Sequence, residues 1–476
     1  MVFHWQLFGL VIITLCFDFG GTFQTDLLGN VQQLTDELNS LVGDEVFSYD
    51  VLSLKLCKKQ HPNNVSLDLS NLEIRKLSET FVSSQHVTCL DLQGNQFSDS
   101  VDFNIFQMQP NLEYLNLAKN QFNLQNIAEI ASHQKIKTLV LDNQIVSNYY
   151  RDNIYREVKT IHFRLPNLEK LSLQHLQEIS NYNYNSQEYD FMQYYDFTST
   201  NVTHLFLSDS EIHEINGRFF QKFPSTLTHL FVERCKLNSY SSPTNQTASL
   251  SLLSMDGNSF SCPGGYCINF ENHPNLKYLS LANCEISTIS CNAFLSNQKL
   301  VYLDVSENKI EQISDKLFLD TPALESLNLN NNKLKNVPNF RSLSNLKKLY
   351  INNNEIENVD QDSFSNLENL QILTLSGNNI HSIESSVFDN LLNLVALDLS
   401  QNRIRSLEYR PAFNLEYLIL SDNLISSLDK VELSNTTLKY LVLIDNPLIS
   451  FQPNSFKFLS DNTTIVLRHL KNEIKL

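Results

Sequence analysis

A nine-residue pattern of apolar and polar positions recurs along most of the chain. Apolar residues, mostly leucine, occupy its first, fourth and sixth positions, and a polar residue, most often asparagine, occupies the ninth. Clear copies are LEYLNLAKN from Leu112, LESLNLNNN from Leu324 and LVALDLSQN from Leu394. The apolar–polar–apolar alternation at the fourth to sixth positions predicts a short strand whose leucines face a core.

The repeats form an array. They begin at residues 64, 87, 112, 136, 168, 202, 227, 250, 276, 300, 324, 346, 370, 394, 415, 438 and 462, which makes 17 units. Their mean spacing of about 25 residues is typical of a solenoid. We therefore predict that the strands of successive units pair in parallel and form the concave sheet of a horseshoe.

Two further positions mark each unit. The ninth-position asparagines can hydrogen-bond to backbone groups of their own turn and of the neighbouring unit; they are Asn95, Asn120, Asn258, Asn308, Asn332, Asn354, Asn378, Asn402, Asn423 and Asn446. In the middle of the array this position becomes Gln144, Leu176, Ser210, Cys235 and Cys284, which predicts an irregular bend or twist. An aromatic spine is predicted about 18 residues into the unit, at Phe220, Phe294, Phe318, Phe364, Phe388 and Phe456.

The unit L-x-x-L-x-L-x-x-N resembles the leucine-rich repeat, in the extracellular class whose units have about 24 residues. Within that class the chain is similar to Toll and Toll-like receptor ectodomains, chaoptin-like proteins and secreted insect immune repeat proteins. The resemblance covers residues 64–476 and implies an α/β repeat solenoid. It also implies a recognition module of innate immunity or the cell surface, with an extracellular protein or a pathogen-derived molecule as its ligand.

Two segments precede the array. Leu7–Phe17 is an apolar run of 11 residues, long enough for the core of a signal peptide and too short to span a bilayer. We expect a signal peptide over 1–22, a secreted chain and no membrane insertion. A helical leucine stripe and a strand at Val51–Leu56 predict an N-terminal cap over 23–63. The alternative is an oligomerisation helix, which would make the chain a homo- or hetero-oligomer.

The net charge and the catalytic motifs narrow the kinds of partner and of activity that we expect for the chain. The chain has 35 Lys and Arg against 52 Asp and Glu, a net charge of -17. This disfavours nucleic acid and anionic lipid, because both are bound by basic surfaces. The sequence has no zinc-protease, nucleophile-elbow or phosphate-loop motif. We therefore expect no enzymatic activity, no metal site and no cofactor.

Two units are longer than the rest and are rich in tyrosine. Their inserted loops, at about 144–162 and 176–200, carry eight of the 18 tyrosines. Tyrosine gives a large contact area at low entropic cost, which is typical of binding loops. The alternative is a loop that packs its own aromatic side chains. The candidate ligand-binding residues of the second loop are Tyr182, Tyr184, Tyr189, Tyr194 and Tyr195.

A candidate concave patch adjoins this loop. The third and fifth positions of each unit project from the sheet away from the leucine core. At these positions two adjacent units carry His204, Phe206, His229 and Phe231, for which we expect solvent exposure and a pH-sensitive edge. A second patch, which is either a partner surface or simple strand propensity, comprises Tyr417, Ile419, Tyr440 and Val442.

The recognition hypothesis has a competitor, a structural or adhesive matrix component that binds through contacts distributed along the whole array. A single concentrated binding region favours recognition, because a few buried anchors then carry most of the affinity. Binding spread over many units favours adhesion.

Because we expect the chain to be secreted, we also expect disulfides and glycans. Cys57 and Cys89 flank the first unit and are predicted to pair. Cys235 and Cys284 lie two units apart, about 10 Å, which is beyond disulfide reach, so both should be buried free thiols. Cys267 is left to pair with either Cys262 or Cys291. The predicted glycosylation sites are Asn64, Asn201, Asn245, Asn435 and Asn462.

Overall fold

The computed structural model describes residues 65–77, 84–98, 101–122, 127, 133–143, 145–146, 161–178, 195–242, 249–261, 263–384, 386–407, 414–428, 437–448 and 463–467. The predicted signal peptide, the N-terminal cap and Phe456 lie outside these ranges. The chain divides into two compact units, Met1–Ser53 and Leu54–Leu476, and all the described residues belong to the second.

One parallel sheet of 17 strands runs through the second unit. Each strand pairs in parallel with the next one along the chain. The strands are β1 (Val65–Asp68), β2 (Val87–Asp91), β3 (Tyr114–Asn116), β4 (Thr138–Val140), β5 (Lys170–Ser172), β6 (His204–Phe206), β7 (His229–Phe231), β8 (Leu252–Ser254), β9 (Tyr278–Ser280), β10 (Tyr302–Asp304), β11 (Ser326–Asn328), β12 (Lys348–Tyr350), β13 (Ile372–Thr374), β14 (Ala396–Asp398), β15 (Tyr417–Ile419), β16 (Tyr440–Val442) and β17 (Thr464–Val466). The predicted repeat solenoid is confirmed.

The register of the sheet puts the leucines of successive units side by side. Leu303 of β10 lies opposite Leu279 of β9 and Leu327 of β11, and these three side chains are at most 1% exposed. Because strand residues alternate between two faces, the third and fifth positions of each unit lie on the opposite face. We call this second surface the open face.

A row of asparagines connects the units behind the strands. Asn378 donates from Nδ2 to the carbonyl oxygens of Ile351 and Leu375, both at 3.0 Å, and its Oδ1 accepts from the N–H of Ile356 at 3.1 Å. One side chain therefore satisfies backbone groups of two units. The same ladder was predicted from the ninth position of the repeat and is confirmed.

The turn after each strand has a feature that the sequence pattern did not predict. The eighth position of each of the first 16 units has a positive φ between 51° and 70°. Asn, Asp and Gly tolerate this conformation best, and they hold most of these positions. At Gly94 an added Cβ would meet the side-chain oxygen of Asn71, so a larger residue here would have to displace the Asn71 side chain.

The middle of the array keeps the sheet intact. Register is maintained from β5 to β8, although the ladder positions after β5, β6 and β7 are Leu176, Ser210 and Cys235 in place of asparagine. Ser210 takes its place by donating to the carbonyl of Leu173 at 3.2 Å and accepting from the N–H of Leu176 at 3.1 Å. Cys284 donates its thiol to the carbonyl of Met255 at 3.1 Å. A hydroxyl at Ser210 and a thiol at Cys284 thus replace the amide, whereas Leu176 contributes an apolar side chain to the core.

Short elements lie outside the main sheet. Two parallel pairs hold parts of the long units together, Ile145–Val146 with Gln177–Glu178 and Ile161–His162 with Tyr195–Asp196. Other short strands are Glu214–Ile215, Ser239–Ser241, Ile268–Asn269, Ser382–Ile383 and Ser406–Leu407. The described helices are an α-helix at Gly217–Phe220 and 3-10 turns at Phe103–Met108 and Pro263–Gly265.

The predicted aromatic spine is confirmed for its described members. Phe220, Phe294, Phe318, Phe364 and Phe388 are at most 3% exposed. Phe364 and Phe388 of neighbouring units stack with ring centroids 6.0 Å apart and an interplanar angle of 17°. The spine closes the core on the side away from the leucine strands.

Candidate functional site

The candidate site lies on the open face of β6 and β7, where the tripeptide His-Leu-Phe occurs on both strands. The register pairs His204 with His229 and Phe206 with Phe231. The imidazole centroids are 4.1 Å apart with planes 9° from parallel, and the phenyl centroids are 4.7 Å apart with planes 2° from parallel. We call these four residues the ring pairs.

The ring pairs are less exposed than the sequence predicted. Phe206 is 5% and Phe231 2% exposed, whereas both histidines are half-buried. The expectation of solvent-facing phenylalanines is therefore wrong. Adjacent strands are about 4.8 Å apart, so in-register rings cover one another. The pairs still lie on the open face, because Leu205 and Leu230 between them point into the core.

A threonine hydroxyl holds the ring of each histidine. Thr203 Oγ1 lies 3.1 Å from the carbonyl oxygen of Glu169 and 2.8 Å from His204 Nδ1. Thr228 holds His229 in the same way. A neutral imidazole has one donor and one acceptor nitrogen, so the Nε2 atom of each ring is a polar atom that can form a hydrogen bond with a ligand in either tautomer.

Both imidazoles are neutral at physiological pH. Burial, the neighbouring His229 and the Lys170 ammonium together lower the pKa of His204 to about 3. Burial and Lys170 also lower the pKa of His229. The predicted pH-sensitive edge is wrong for His204, because its pKa lies far below the range from pH 7.5 to 5.5. What the pair offers a ligand is a polar Nε2 atom on each of two flat aromatic rings.

An ion pair borders the ring pairs at the turn after β6. Arg234 donates to Asp209 in a bidentate arrangement, from Nε to Oδ1 and from an Nη to Oδ2, both at 2.7 Å. This contact lowers the pKa of Asp209, mainly through the hydrogen bond from Arg234. The negative charge of Asp209 is thus compensated by Arg234. The stacked rings therefore distinguish this part of the surface.

The tyrosine-rich loop is described only at its end. Tyr182, Tyr184, Tyr189 and Tyr194 lie outside the described residues. Tyr195 is 3% exposed and packs near Phe163 and Phe197, with ring centroids 6.3 and 6.4 Å away. The prediction that Tyr195 is a ligand-contacting side chain is therefore wrong, because its ring belongs to the apolar interior.

The second predicted patch is also mostly covered. Tyr417 and Tyr440 stack with centroids 5.7 Å apart and are 2% and 8% exposed. Val442 is buried as well, and only Ile419 is half-buried. The Lys439 ammonium lies 5.9 Å from the centroid of Tyr417. In-register stacking again covers rings that alternation alone would place in solvent.

The two cysteines of the ladder are free thiols, as predicted. Cys235 and Cys284 are buried, and Cys235 donates to the carbonyl of Leu207 at 3.2 Å. Burial raises the pKa of Cys235 to about 12 and also raises that of Cys284. Both therefore remain protonated, which suits a ladder donor and does not suit a nucleophile.

The other cysteines divide into bonded and free. Cys89 and Cys267 are disulfide-bonded, and Cys57 and Cys262 lie outside the described residues. Cys291 is exposed and free. The alternative bridge from Cys267 to Cys291 is therefore wrong, while the pairing of Cys57 with Cys89 stays a prediction.

A second asparagine row was not predicted. These asparagines precede the first position of their units and donate to a carbonyl of the preceding unit; they are Asn111, Asn167, Asn201, Asn345, Asn369, Asn393 and Asn414. The sequence feature that could have revealed this row is the dipeptide Asn-Leu, which recurs where each unit begins. Asn201, the one described glycosylation candidate, is exposed and belongs to this row, whereas Asn64, Asn245, Asn435 and Asn462 lie outside the described residues.

Two searches of the described ranges were negative. No cluster of three or more His, Cys, Asp or Glu side chains in these ranges is arranged to hold a metal ion. No helix in the same part of the chain has the length and apolar character needed to cross a membrane.

Comparison with known proteins agrees with this architecture. A leucine-rich repeat family model matches residues 274–334 and 344–404, and another matches 83–100. The Toll–Spätzle complex of Drosophila, a hub in development and innate immunity, has a similar chain, with TM-score 0.65 and 20% identity over 83% of this chain and 53% of that chain. This chain thus corresponds to about half of that one.

Two other solved structures are similar at lower scores. The TLR13–ssRNA13 complex has a TM-score of 0.47 and 20% identity over 84% of this chain and 62% of that one. The internalin InlF of Listeria monocytogenes has a TM-score of 0.46 and 20% identity over 73% of this chain and 85% of that one. No curated protein matches the chain.

These findings define the class. The chain is a leucine-rich repeat protein with units of about 24 residues, and its fold is similar to that of the Toll ectodomain.

Proposed function

We propose that the chain is a secreted recognition module that binds an extracellular protein through the open face of its sheet. The observation that carries this proposal is the pair of stacked rings on β6 and β7. Four aromatic side chains lie there in register on the face opposite the core. Aromatic residues are enriched among the few residues that dominate binding energy.

The geometry suits contact with a protein. The half-buried imidazoles carry polar Nε2 atoms, and the phenylalanines beside them form a rigid apolar support. Rings held by stacking and by the Thr203 and Thr228 hydrogen bonds lose little conformational entropy when a ligand binds. A ligand that forms hydrogen bonds with both Nε2 atoms and covers the ring edges would therefore gain affinity and orientation.

Fold similarity supports a protein ligand. In the Drosophila complex the similar Toll chain is bound to Spätzle, and this complex acts in development and innate immunity. By analogy, the proposed setting here is innate immunity or cell-surface recognition, with a host protein or a pathogen-derived molecule as ligand.

Two observations favour an extracellular location. The disulfide-bonded state of Cys89 and Cys267 is typical of oxidising compartments. Asn201 stands exposed in an Asn-Val-Thr sequence that can accept a glycan. Secretion and glycosylation are parts of the proposal, and a glycosidase mobility shift of the protein from a secretory host tests both.

A matched pair of variants tests the binding site. His204→Ala/His229→Ala removes the imidazoles, and Tyr417→Ala/Tyr440→Ala removes an equally stacked pair from the same column of β15 and β16. Each protein is immobilised, exposed to extracellular fluid of the source organism and analysed by quantitative mass spectrometry. We expect ligand recovery to fall at least about 10-fold for the histidine variant and to be unchanged for the tyrosine variant.

The other outcomes separate the competing hypotheses. Equal losses from both variants would favour distributed adhesion along the array. Loss only from the tyrosine variant would move the binding site to β15 and β16. Thermal unfolding of each variant shows whether the compared proteins are folded.

A further inference from the structure

Two neighbouring units each contain a stretch without charged residues. No residue of 259–270 or of 286–298 is charged, and Glu271 is the first charge beyond the earlier stretch. The stretches of two other units that are equivalent to 286–298 are 310–322 and 356–368, and each of these carries four charged residues. We call residues 259–270 and 286–298 the neutral patch.

The two stretches of the neutral patch lie side by side behind the sheet. The N–H of Phe270 donates to the carbonyl of Ala293 at 2.9 Å, and the ring of Phe270 stacks on that of Phe294 with centroids 5.8 Å apart. Phe294 belongs to the aromatic spine, which closes the core on the side away from the leucine strands. The neutral patch and the ring pairs therefore lie on different sides of the sheet.

A rigid turn holds one tyrosine outside the core at this patch. Tyr266 is 79% exposed, although it directly precedes the disulfide-bonded Cys267. Gly265 has a φ of 70°, and a Cβ added to it would lie 2.7 Å from the backbone nitrogen of Ser290. Glycine thus lets the turn pack directly on the backbone of the next unit. This contact fixes the position from which Tyr266 projects.

Two leucines and a thiol extend the exposed surface. Leu295 and Leu319 directly follow the spine phenylalanines of neighbouring units, and they are 37% and 61% exposed. Cys291 directly follows Ser290, on which the turn of Tyr266 packs, and it is exposed and free. The centre of a protein–protein interface is typically depleted of charged residues and enriched in aromatic ones. The neutral patch has this composition.

We propose that the neutral patch, with Leu319 beside it, is a contact surface between two copies of this chain. Each copy has a net charge of -17, and a surface without charge lets two copies approach with little local repulsion. In a two-fold contact the same surface meets itself, and a residue near the axis meets its own copy. The thiol of Cys291 can therefore join two copies. The inference goes beyond the proposed function, because the ring pairs take no part in this contact.

The joining reaction is a thiol–disulfide exchange with oxidised glutathione as the oxidant. The thiolate of one Cys291 attacks oxidised glutathione, which gives a mixed disulfide and one reduced glutathione. The thiolate of the second Cys291 attacks the protein sulfur of this mixed disulfide and releases the second glutathione. Two protein thiols thus lose two electrons and two protons, and one glutathione disulfide becomes two thiols. Without the oxidant the contact is reversible, and Cys291 of the separated chain stays open to reagents.

The test measures self-association of the intact chain by sedimentation velocity over a series of concentrations, before and after exposure to oxidised glutathione. We expect a reversible dimer before exposure and a covalent dimer after it. Peptide mapping without reduction should identify the bond between the two Cys291 sulfurs. Because a disulfide requires Cα atoms within about 7 Å of each other, this bond would place Cys291 near the two-fold axis.

Matched double variants locate the contact. Leu295→Glu/Leu319→Glu puts like charges into the contact and should weaken dimerisation at least about 10-fold. Leu392→Glu/Leu424→Glu adds the same charge outside the patch, at leucines that are 61% and 44% exposed, and should change dimerisation less than about 2-fold. Cys291→Ser should keep the reversible dimer and abolish the covalent one.

Three results would overturn the inference: a chain that stays monomeric and is only capped by glutathione, equal losses from the two double variants, or normal dimerisation of Leu295→Glu/Leu319→Glu. Thermal unfolding checks that each variant is folded, and Tyr266→Glu, at a more exposed position, should weaken dimerisation in the same way. The proposed ligand site fails or stands separately, because His204→Ala/His229→Ala should dimerise like the unmodified chain whether or not it captures the ligand.

Discussion

The imidazole rings of His204 and His229 lie parallel on adjacent strands, with centroids 4.1 Å apart. The Nδ1 atom of each ring forms a hydrogen bond with the hydroxyl of the threonine that precedes it, at 2.8 Å. Two cations at this distance would repel strongly. The stack is therefore an arrangement of neutral rings, and its pH dependence follows from that fact.

The first prediction is that the histidine stack makes the protein sensitive to acid. The pKa of His204 is about 3 in the folded chain, compared with 6.5 as the ordinary value, and that of His229 is also lowered. Between these values the unfolded state binds more protons, so stability is fully present above pH 6.5 and is lost as the pH falls towards 3. His204→Gln/His229→Gln should flatten this loss in urea unfolding at pH 7 and pH 4.5. His381→Gln, at an exposed position, is the control and should leave the loss unchanged; equal flattening by it would contradict the assignment.

The second prediction has the opposite sign and concerns Asp256. Its pKa is raised to about 7 from 3.8, so the folded state binds the extra proton between these values. Stability is fully present below pH 3.8 and is lost as the pH rises through 7. Asp256→Asn should therefore remove a loss on the order of 2 kcal/mol between pH 5 and pH 8, measured by urea unfolding. Asp389→Asn should not remove it, and a wild-type protein that is equally stable at both pH values would contradict the prediction.

The third prediction concerns the reactivity of the thiols. Cys235 and Cys284 are buried with raised pKa values, whereas Cys291 is exposed. N-ethylmaleimide at pH 7.5 should therefore label Cys291 within minutes in the native protein. The other two should react only after unfolding in urea. Peptide mapping of the labelled protein gives the answer, and native labelling of Cys235 would show that its place in the ladder is wrong.

The fourth prediction separates the two asparagine rows. Asn378→Ala leaves buried backbone groups of Ile351, Leu375 and Ile356 without their partner and should cost about 3 kcal/mol. Asn393→Ala removes one exposed hydrogen bond to the carbonyl of Glu368 and should cost less than about 1 kcal/mol. Urea unfolding of the two variants compares the same residue type in two environments. Similar costs would mean that the inner ladder does not hold the units together.

The fifth prediction concerns the Tyr350 hydroxyl in the protein without a ligand. Because this buried oxygen has no partner among the described residues, its removal relieves a desolvation cost. Tyr350→Phe should therefore keep or raise the free energy of unfolding, by up to about 1 kcal/mol. A clear loss of stability in thermal unfolding would show that the hydroxyl has a structural partner.

The register of the sheet and the residues of the core could be predicted from the sequence, because both follow the repeat. An apolar residue at the fourth and sixth positions, such as Leu303 and Val305, is buried in unit after unit, and the ladder asparagine marks where the strand ends. The continuity of the ladder at Cys235 and Cys284 was harder to see. Thiols make one donor contact in place of the several made by an amide, and that substitution shows only in the geometry.

The sequence did not predict how little of the candidate site is exposed to solvent. Alternation along one strand assigns Phe206 to the open face but does not say that Phe231 will cover it from the next strand. The same effect covers Tyr417 and Tyr440. The interaction between Asp256 and Asp304 was missed because they occupy different positions of units two strands apart, so no linear motif contains them.

Footprinting with diethyl pyrocarbonate tests the central claim most directly. The reagent acylates neutral imidazoles, so His204 and His229, with free Nε2 atoms, should be modified in the free protein. Once the captured protein ligand is bound, we predict protection of both histidines at least about 10-fold, while the exposed His381 reacts as before. Unchanged modification of His204 and His229 in the saturated complex would contradict the account, because the ligand would then bind away from the ring pairs.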